Sequence, residues 1–174
     1  MGRLFSSLYP GCQLPHNDVE DASALPVHRP IPALAKNVRI YEEVIMDDTL
    51  RVLLVDDEES YLETAAKIFK RKGVDVELCF IGKDVVGILK EKKCQVVVLD
   101  LKMPGMTGQE VLREIKSSLP AVQVIILTGH ATSDDAAVCL TSGAFDFLIK
   151  PVEMSHLLDR VKMAYEMWKL SSDT

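Results

Sequence analysis

The sequence predicts an α/β fold, a doubly wound five-stranded parallel sheet with helices on both faces. From Arg51 onward, short apolar runs alternate regularly with amphipathic stretches, which is typical of βα-repeating parallel sheets. The run from Val96 to Leu99 is entirely apolar, as expected of a central strand covered on both faces. The length of 174 residues, 48% of them hydrophobic, suits one domain of about 100–150 residues plus an appendage.

Five strands are predicted in chain order, each a short apolar run with turn-forming residues near its ends. The second alternates between apolar and polar residues, which indicates an edge strand, whereas the third is apolar throughout. The predicted strands are Val52 to Val55, Val74 to Phe80, Val96 to Leu99, Val122 to Leu127 and Phe145 to Ile149.

A helix is predicted after each strand from apolar residues spaced three and four apart, as in Leu62, Ala65, Ala66 and Phe69. Gly73 is expected to end the first helix. Ser133 is expected to cap the fourth, with Asp134 and Asp135 favourable at its positive end. The predicted helices run from about Glu58 to Lys72, from Val85 into Lys90 to Lys93, from Gly108 to before Pro120, from Ser133 to Ser142, and from Glu153 to Leu170.

Residues 1–48 differ from the rest of the chain. They hold five of its eight prolines and show no sustained apolar period, so we expect a Pro-rich, poorly ordered N-terminal extension, with the compact domain spanning 49–174. The short pattern at Met1-Gly2 that allows N-myristoylation is permissive, and coincidence explains it better.

Charge and cysteine usage limit the function classes. A net charge of −6 without a basic stripe argues against a nucleic-acid surface. No run approaches the roughly 20 apolar residues that span a bilayer, so no membrane association is expected. The four cysteines lack metal-binding spacing, and we expect them to be reduced and structural in a cytoplasmic protein.

Acidic residues follow two strands of the predicted sheet. Asp56 and Asp57 come after the first strand and Asp100 after the third. In parallel sheets joined by right-handed crossovers, the carboxyl ends of strands share one edge, where ligands bind. Three carboxylates brought together there would repel one another and favour a bound cation, and oxygen ligands with open water positions suit Mg²⁺.

A hydroxyl and a cation are predicted at the same edge. Thr128 ends the fourth strand and Lys150 follows the fifth. A metal ion, an ammonium and a hydroxyl around Asp100 could neutralise and orient a phosphoryl group during in-line transfer to that carboxylate. Each residue alone has an ordinary structural explanation, but their joint placement at the ends of four strands points to aspartyl-phosphate chemistry.

These residues resemble the receiver domains of two-component response regulators over about residues 50–170. Asp56-Asp57-Glu58 looks like the family's acidic pair, and residues 100–108, DLKMPGMTG, reproduce its D-x-x-M-P-x-M-x-G segment. The segments around Thr128 and Gly143 are similar to receivers of enhancer-dependent transcription activators. The resemblance implies the flavodoxin-like strand order 2-1-3-4-5.

The resemblance also implies roles for the site residues. Asp100 would accept the phosphoryl group from a histidine kinase or a small phosphodonor, while Thr128 and Lys150 would contact it. Mg²⁺ (or Mn²⁺) would be held by Asp57, Asp100 and the backbone carbonyl of Lys102, with Asp56 acting through water. The Lys150-Pro151 bond is cis in family members, an isomer that the sequence leaves open.

A conformational switch is implied as well. Phe147, three residues before Lys150, occupies the position of the family's switch aromatic. We infer that Thr128 moves toward the phosphoryl group and vacates space for the ring, which reshapes the face of helix 4, strand 5 and helix 5. The alternative is that Phe147 is an ordinary core residue. The same face could form a homodimer when phosphorylated.

Three functions remain open on the sequence alone. The leading one is a stand-alone receiver, a phosphoacceptor switch rather than an enzyme, read by a downstream effector protein and without direct DNA binding. A phosphorelay carrier, which passes the group to a histidine of a phosphotransfer protein, would use the same residues. An aspartate-nucleophile phosphohydrolase is less favoured, because such enzymes usually need a second acid two residues after the nucleophile, where Lys102 stands here. Lys102 and His130 are expected to rim the pocket.

Overall fold

The structure, a computed structural model, describes residues 49–129 and 132–172. The predicted extension at residues 1–48 and the pocket-rim residue His130 lie outside that part of the chain. The described residues form a five-stranded parallel sheet with the strand order β2-β1-β3-β4-β5. The predicted fold class and the order 2-1-3-4-5 are therefore confirmed.

Elements alternate regularly along the chain, and their bounds lie within a few residues of the predicted ones. A 3₁₀ turn, Gly82–Asp84, precedes the second helix. The strands are β1 (Arg51–Val55), β2 (Asp75–Cys79), β3 (Val96–Leu99), β4 (Gln123–Thr128) and β5 (Asp146–Ile149). The helices are α1 (Glu59–Arg71), α2 (Val85–Lys92), α3 (Gly108–Ser118), α4 (Ser133–Thr141) and α5 (Met154–Ser172).

Two apolar layers cover the sheet, one on each face. Successive strand residues point to opposite faces, so Leu53 and Val97 pack with α2 and α3, whereas Leu54 and Val98 pack with α1 and α5. Strands β1 and β3 lie inside the sheet and are almost fully buried, which explains their continuous apolar sequences. Cys79, Cys94 and Cys139 are buried and free, as predicted for structural thiols.

The N-cap of the fourth helix lies one residue earlier than predicted. Thr132, not Ser133, is the N-cap, and its hydroxyl accepts a hydrogen bond from the Asp135 N–H at 3.2 Å. The Asp135 carboxylate in turn accepts bonds from the Thr132 N–H and hydroxyl, which completes a capping box. The prediction of Ser133 was wrong because Thr132 and Ser133 are both good caps, and only Thr132 has a carboxylate three residues further on.

The register of the central strands places the acidic residues side by side. Val55 pairs with Leu99, and the Asp100 N–H donates to the Val55 carbonyl at 2.9 Å. Asp56, directly after β1, therefore lies beside Asp100, directly after β3. None of the helices in the described ranges is both long and apolar enough to cross a bilayer.

Candidate functional site

Three carboxylates meet at the carboxyl edge of the sheet, as the sequence predicted. Asp56, Asp57 and Asp100 each offer an oxygen atom, and these atoms lie within 4.8 Å of one another. Asp56 and Asp100 are buried, with 3% and 8% of their surface exposed, whereas Asp57 is exposed. Two buried acids beside a third are costly without a nearby positive charge, and the three carboxylates are the residues that could hold a metal ion here.

Backbone N–H groups orient the two buried carboxylates. The Leu101 N–H donates to Asp100 Oδ1 at 2.8 Å, and the Glu58 N–H donates to Asp56 Oδ1 at 3.0 Å. Each carboxylate is thereby fixed through one oxygen and keeps a second oxygen for another partner. The loops after β1 and β3 supply these donors, which ties the orientation of the acids to the strand ends.

The loop after Asp100 is pinned by the start of α3. The Gly108 N–H donates to the Leu101 carbonyl at 2.9 Å. A Cβ atom on Gly108 would lie 2.2 Å from the Asp100 carbonyl oxygen and 2.6 Å from the Leu101 Cα, so only glycine fits there. Helix α3 then begins with a capping box between Thr107 and Glu110, which fixes its first turn.

Lys150 follows β5, the edge strand of the sheet, and its side chain reaches the acidic cluster. Its backbone N–H donates to the Thr128 carbonyl at 2.8 Å, and the Lys150-Pro151 peptide bond is cis. Its ammonium forms an ion pair with Asp56. Thr128 is fully buried at the end of β4. Lys150 is thus brought to the acids as the sequence predicted, and Asp56 is its carboxylate partner.

Tyr61 is a site residue that the sequence analysis missed. Its ring lies under the Lys150 ammonium, 4.4 Å from Nζ to the ring centroid, and it lines a small cavity with Asp56 and Asp100. Its hydroxyl is buried without a hydrogen-bond partner in the described part of the chain. Burial and then the charges of Asp56, Glu58 and Asp100 raise the pKa of Tyr61 to about 12, so it is a neutral phenol.

Tyr61 escaped notice because it directly precedes Leu62, the first residue of the buried face of α1. The periodicity therefore placed it at the border of that face. The available signal was its position in the first turn of α1, directly after the loop that carries Asp56 and Asp57.

Phe147 and Lys102 are not among the residues of the three-carboxylate cluster or of the small cavity beside it. Phe147 is partly buried and packs against the core layer of α2 and α3, next to exposed Ile149. Lys102 is exposed and lines a surface cavity of about 210 Å³ with Thr107, Gln109 and Asp135. The predicted roles of both residues remain predictions.

The fold and the pocket together define a class: doubly wound domains with an acidic cluster, a lysine and a buried threonine at the carboxyl ends of their strands. A search of family models matches residues 52–162 to the response regulator receiver domain. The chain belongs to this family, whose members are phosphoacceptor switches of two-component signalling. The resemblance drawn from the sequence is thereby confirmed.

Named relatives support the same family. The chain is 35% identical over 104 residues to the regulatory protein LuxO of Vibrio vulnificus (strain YJ016), a match covering 60% of this chain and 23% of LuxO. It is 35% identical over 124 residues to a putative NtrX-like response regulator of Rickettsia bellii, covering 70% of this chain and 26% of that protein. The chain thus spans about a quarter of the curated relatives it matches.

A solved structure agrees with these sequence matches. The signal receiver domain of a putative LuxO repressor protein from Vibrio parahaemolyticus superposes with a TM-score of 0.67 at 33% sequence identity. The superposition covers 71% of this chain and 95% of that domain. The similarity therefore extends over a complete receiver fold.

Proposed function

We propose that this chain is a phosphoacceptor whose Asp100 receives a phosphoryl group from a histidine kinase or a small phosphodonor. One observation carries the proposal: the buried Asp100 carboxylate shares the sheet edge with two further acids and a lysine. Its oxygen bonded to the Leu101 N–H is fixed, which aims the other oxygen for attack. A positioned carboxylate is an effective nucleophile toward phosphorus.

The phosphoryl group is transferred to Asp100 by in-line displacement. An Asp100 oxygen forms a P–O bond while the P–N bond to the donor imidazole breaks, and the imidazole leaves with the electron pair and takes up a proton. We expect the Lys150 ammonium, which pairs with Asp56 beside Asp100, to pair with the transferred oxygens, and the Thr128 hydroxyl to donate a hydrogen bond to them. Both groups act where negative charge accumulates.

The acidic cluster fits a divalent cation on its donor chemistry. Asp57, Asp100 and the Lys102 carbonyl would bind Mg²⁺ (or Mn²⁺) directly, and Asp56 would do so through water. When bound, the ion supplies charge neutralisation, which lets an anionic phosphodonor approach a cluster that would otherwise repel it. The protein contributes the orientation of the carboxylates through the backbone N–H groups of Glu58 and Leu101.

Intact mass of the full chain after incubation with acetyl phosphate and Mg²⁺ tests the function. We expect a gain of one phosphoryl group that needs the metal and is lost in base, as an acyl phosphate is. If the chain instead hydrolysed unrelated phosphate esters steadily and no phosphorylated protein accumulated, it would be a phosphohydrolase. Hydroxylamine at neutral pH cleaves acyl phosphates but not phosphate esters, so a mass gain that survives hydroxylamine would contradict the proposal.

Replacing Asp57 by asparagine should weaken Mg²⁺ binding by about tenfold or more, since a unit charge a few ångströms from the ion is worth at least about 1.4 kcal/mol there. Without metal the variant should be at least as stable as the wild type, because one of three repelling charges is removed. Metal at about 100 times its dissociation constant should stabilise the wild type by about 2.7 kcal/mol and the variant less. Thermal unfolding with and without Mg²⁺ measures both effects.

The matched control is Asp159→Asn, which removes an exposed acid on α5 outside the cluster. It should keep the full Mg²⁺-dependent rise in unfolding temperature. An equal loss of the metal effect in both variants would mean that Mg²⁺ acts through net charge, and the assigned site would be wrong.

We propose Thr128 and Phe147 as the switch that reports phosphorylation. Phe147 is only partly buried, and beside it Ile149 on β5 is 60% exposed, with Val138 and Leu140 exposed on α4. A ring that turns inward would change this apolar face of α4, β5 and α5, where an effector or a second copy could dock. NMR of the chain with and without beryllofluoride should show two ring positions, and one unchanged inward position would refute the switch.

The output is proposed to be contact with a protein rather than with DNA. An effector protein, an effector segment joined to the same regulator, or a phosphotransfer protein could each read the modified face. Transfer of the phosphoryl group from the modified chain to a histidine of a candidate partner would identify a relay carrier. Retention of the group in the presence of those partners would favour an end-point switch.

A further inference from the structure

The Lys150 side chain is long and partly exposed where it extends to the acidic cluster. Lys150 follows β5 and Asp56 follows β1, and strands β3 and β4 lie between β5 and β1 in the sheet. The Lys150 side chain keeps 20% of its surface exposed, and its ammonium pairs with Asp56. A flexible four-carbon stem loses considerable rotamer freedom when its tip is fixed, so a second contact at that tip would help to hold it.

Tyr61 supplies that second contact. Lys150 Nζ lies 4.4 Å from the ring centroid, a distance at which the electron-rich face of an aromatic ring attracts a cation. Because Tyr61 belongs to α1 and Asp56 directly follows β1, both partners of the ammonium come from the first βα unit. Asp56 also lines the same small cavity as Tyr61 and Asp100.

We propose that Tyr61 is a positioning residue: its ring holds the Lys150 ammonium beside Asp56 and within reach of a phosphoryl group on Asp100. This inference rests on the proposed phosphoacceptor function. Tyr61 touches no reacting atom in the proposal and acts through Lys150. The ring rather than the hydroxyl performs the task, because the hydroxyl has no partner in residues 49–129 and 132–172.

The test compares Tyr61→Leu and Tyr61→Met, which remove the ring, with Tyr61→Phe, which keeps it. We expect phosphorylation by acetyl phosphate to slow by about three- to tenfold in both aliphatic variants, within the range of a partly exposed cation–π contact. Tyr61→Phe should restore the rate to within about twofold of the wild type and should melt no lower, since it removes an unpaired buried hydroxyl. If either Tyr61→Leu or Tyr61→Met fails to fold, the other still tests the loss of the ring.

A double-mutant cycle separates positioning from a general structural role. In a Lys150→Met background, Tyr61→Leu should cause no further loss of rate, because the ammonium it positions is gone. An equal loss in both backgrounds would overturn the proposal and assign the ring a packing role.

A readout without phosphoryl transfer keeps the inference separate from the proposed function. The ε-protons of Lys150, lying over an aromatic face, should resonate upfield in NMR spectra of the wild type and Tyr61→Phe, and should return toward ordinary values in Tyr61→Leu. Ordinary shifts in the wild type would overturn the positioning role. Upfield shifts in a chain that takes up no phosphoryl group would leave the contact standing and refute the phosphoacceptor function.

Discussion

Exchanging Asp100 for asparagine is expected to abolish phosphoryl uptake completely. An amide oxygen is not a nucleophile toward phosphorus at neutral pH, so the P–O bond cannot form. The fold should tolerate the change, because the asparagine Oδ1 can still accept the Leu101 N–H bond and one of three clustered negative charges disappears. Intact mass after treatment with acetyl phosphate and Mg²⁺ measures uptake, and circular dichroism checks that the variant is folded.

Asp84→Asn is the matched control for this experiment. Asp84 is exposed, makes no side-chain capping bond at the start of α2 and belongs neither to the three-carboxylate cluster nor to the lining of the small cavity, so its loss removes the same charge without touching them. We expect full phosphoryl uptake in this control. Uptake that persists in Asp100→Asn would place the acceptor elsewhere, with Asp56 and Asp57 as the first residues to examine, and would refute the assignment of Asp100.

The position of the acidic cluster at the carboxyl edge of the sheet was predictable, because the connections between parallel strands follow strict geometric rules. The apolar runs before Asp56 and Asp100 identify two buried strands, and the carboxyl ends of such strands share an edge. The convergence of the acids therefore needed no knowledge of side-chain conformations. The resemblance added the strand order and the residue roles, of which the order is confirmed.

Contacts made by side-chain tips were not predictable in the same way. The pairing of Lys150 with Asp56 and the position of Tyr61 under its ammonium depend on rotamers and on loop paths between distant strands. Likewise, Thr132 was passed over as the cap of α4 because adjacent Thr132 and Ser133 offer the same hydroxyl chemistry. Sequence patterns specify which face of an element is buried. Side-chain contacts and the choice between two adjacent capping residues depend on the local geometry.

Among the glycines in the described ranges, Gly108 is expected to tolerate replacement by alanine least. The added Cβ would lie 2.2 Å from the Asp100 carbonyl oxygen and 2.6 Å from the Leu101 Cα, and both neighbours are backbone atoms that cannot rotate away. The loop after β3 and the start of α3 must therefore separate. We expect a loss of roughly 3 kcal/mol, at the upper end for overpacked sites, and an unfolding temperature lower by about 10 °C.

The same substitution should impair phosphorylation beyond its effect on stability. Separating α3 from the loop would break the bond from the Gly108 N–H to the Leu101 carbonyl and shift the Leu101 N–H that orients Asp100. Gly87→Ala is the control, because Gly87 lies in α2 with nothing within 4 Å of its added Cβ. It should stabilise the domain by about 0.5–1 kcal/mol and leave the phosphorylation rate unchanged. Equal unfolding temperatures and rates for Gly108→Ala and the wild type would show that the close approach does not hold the phosphoacceptor loop in place.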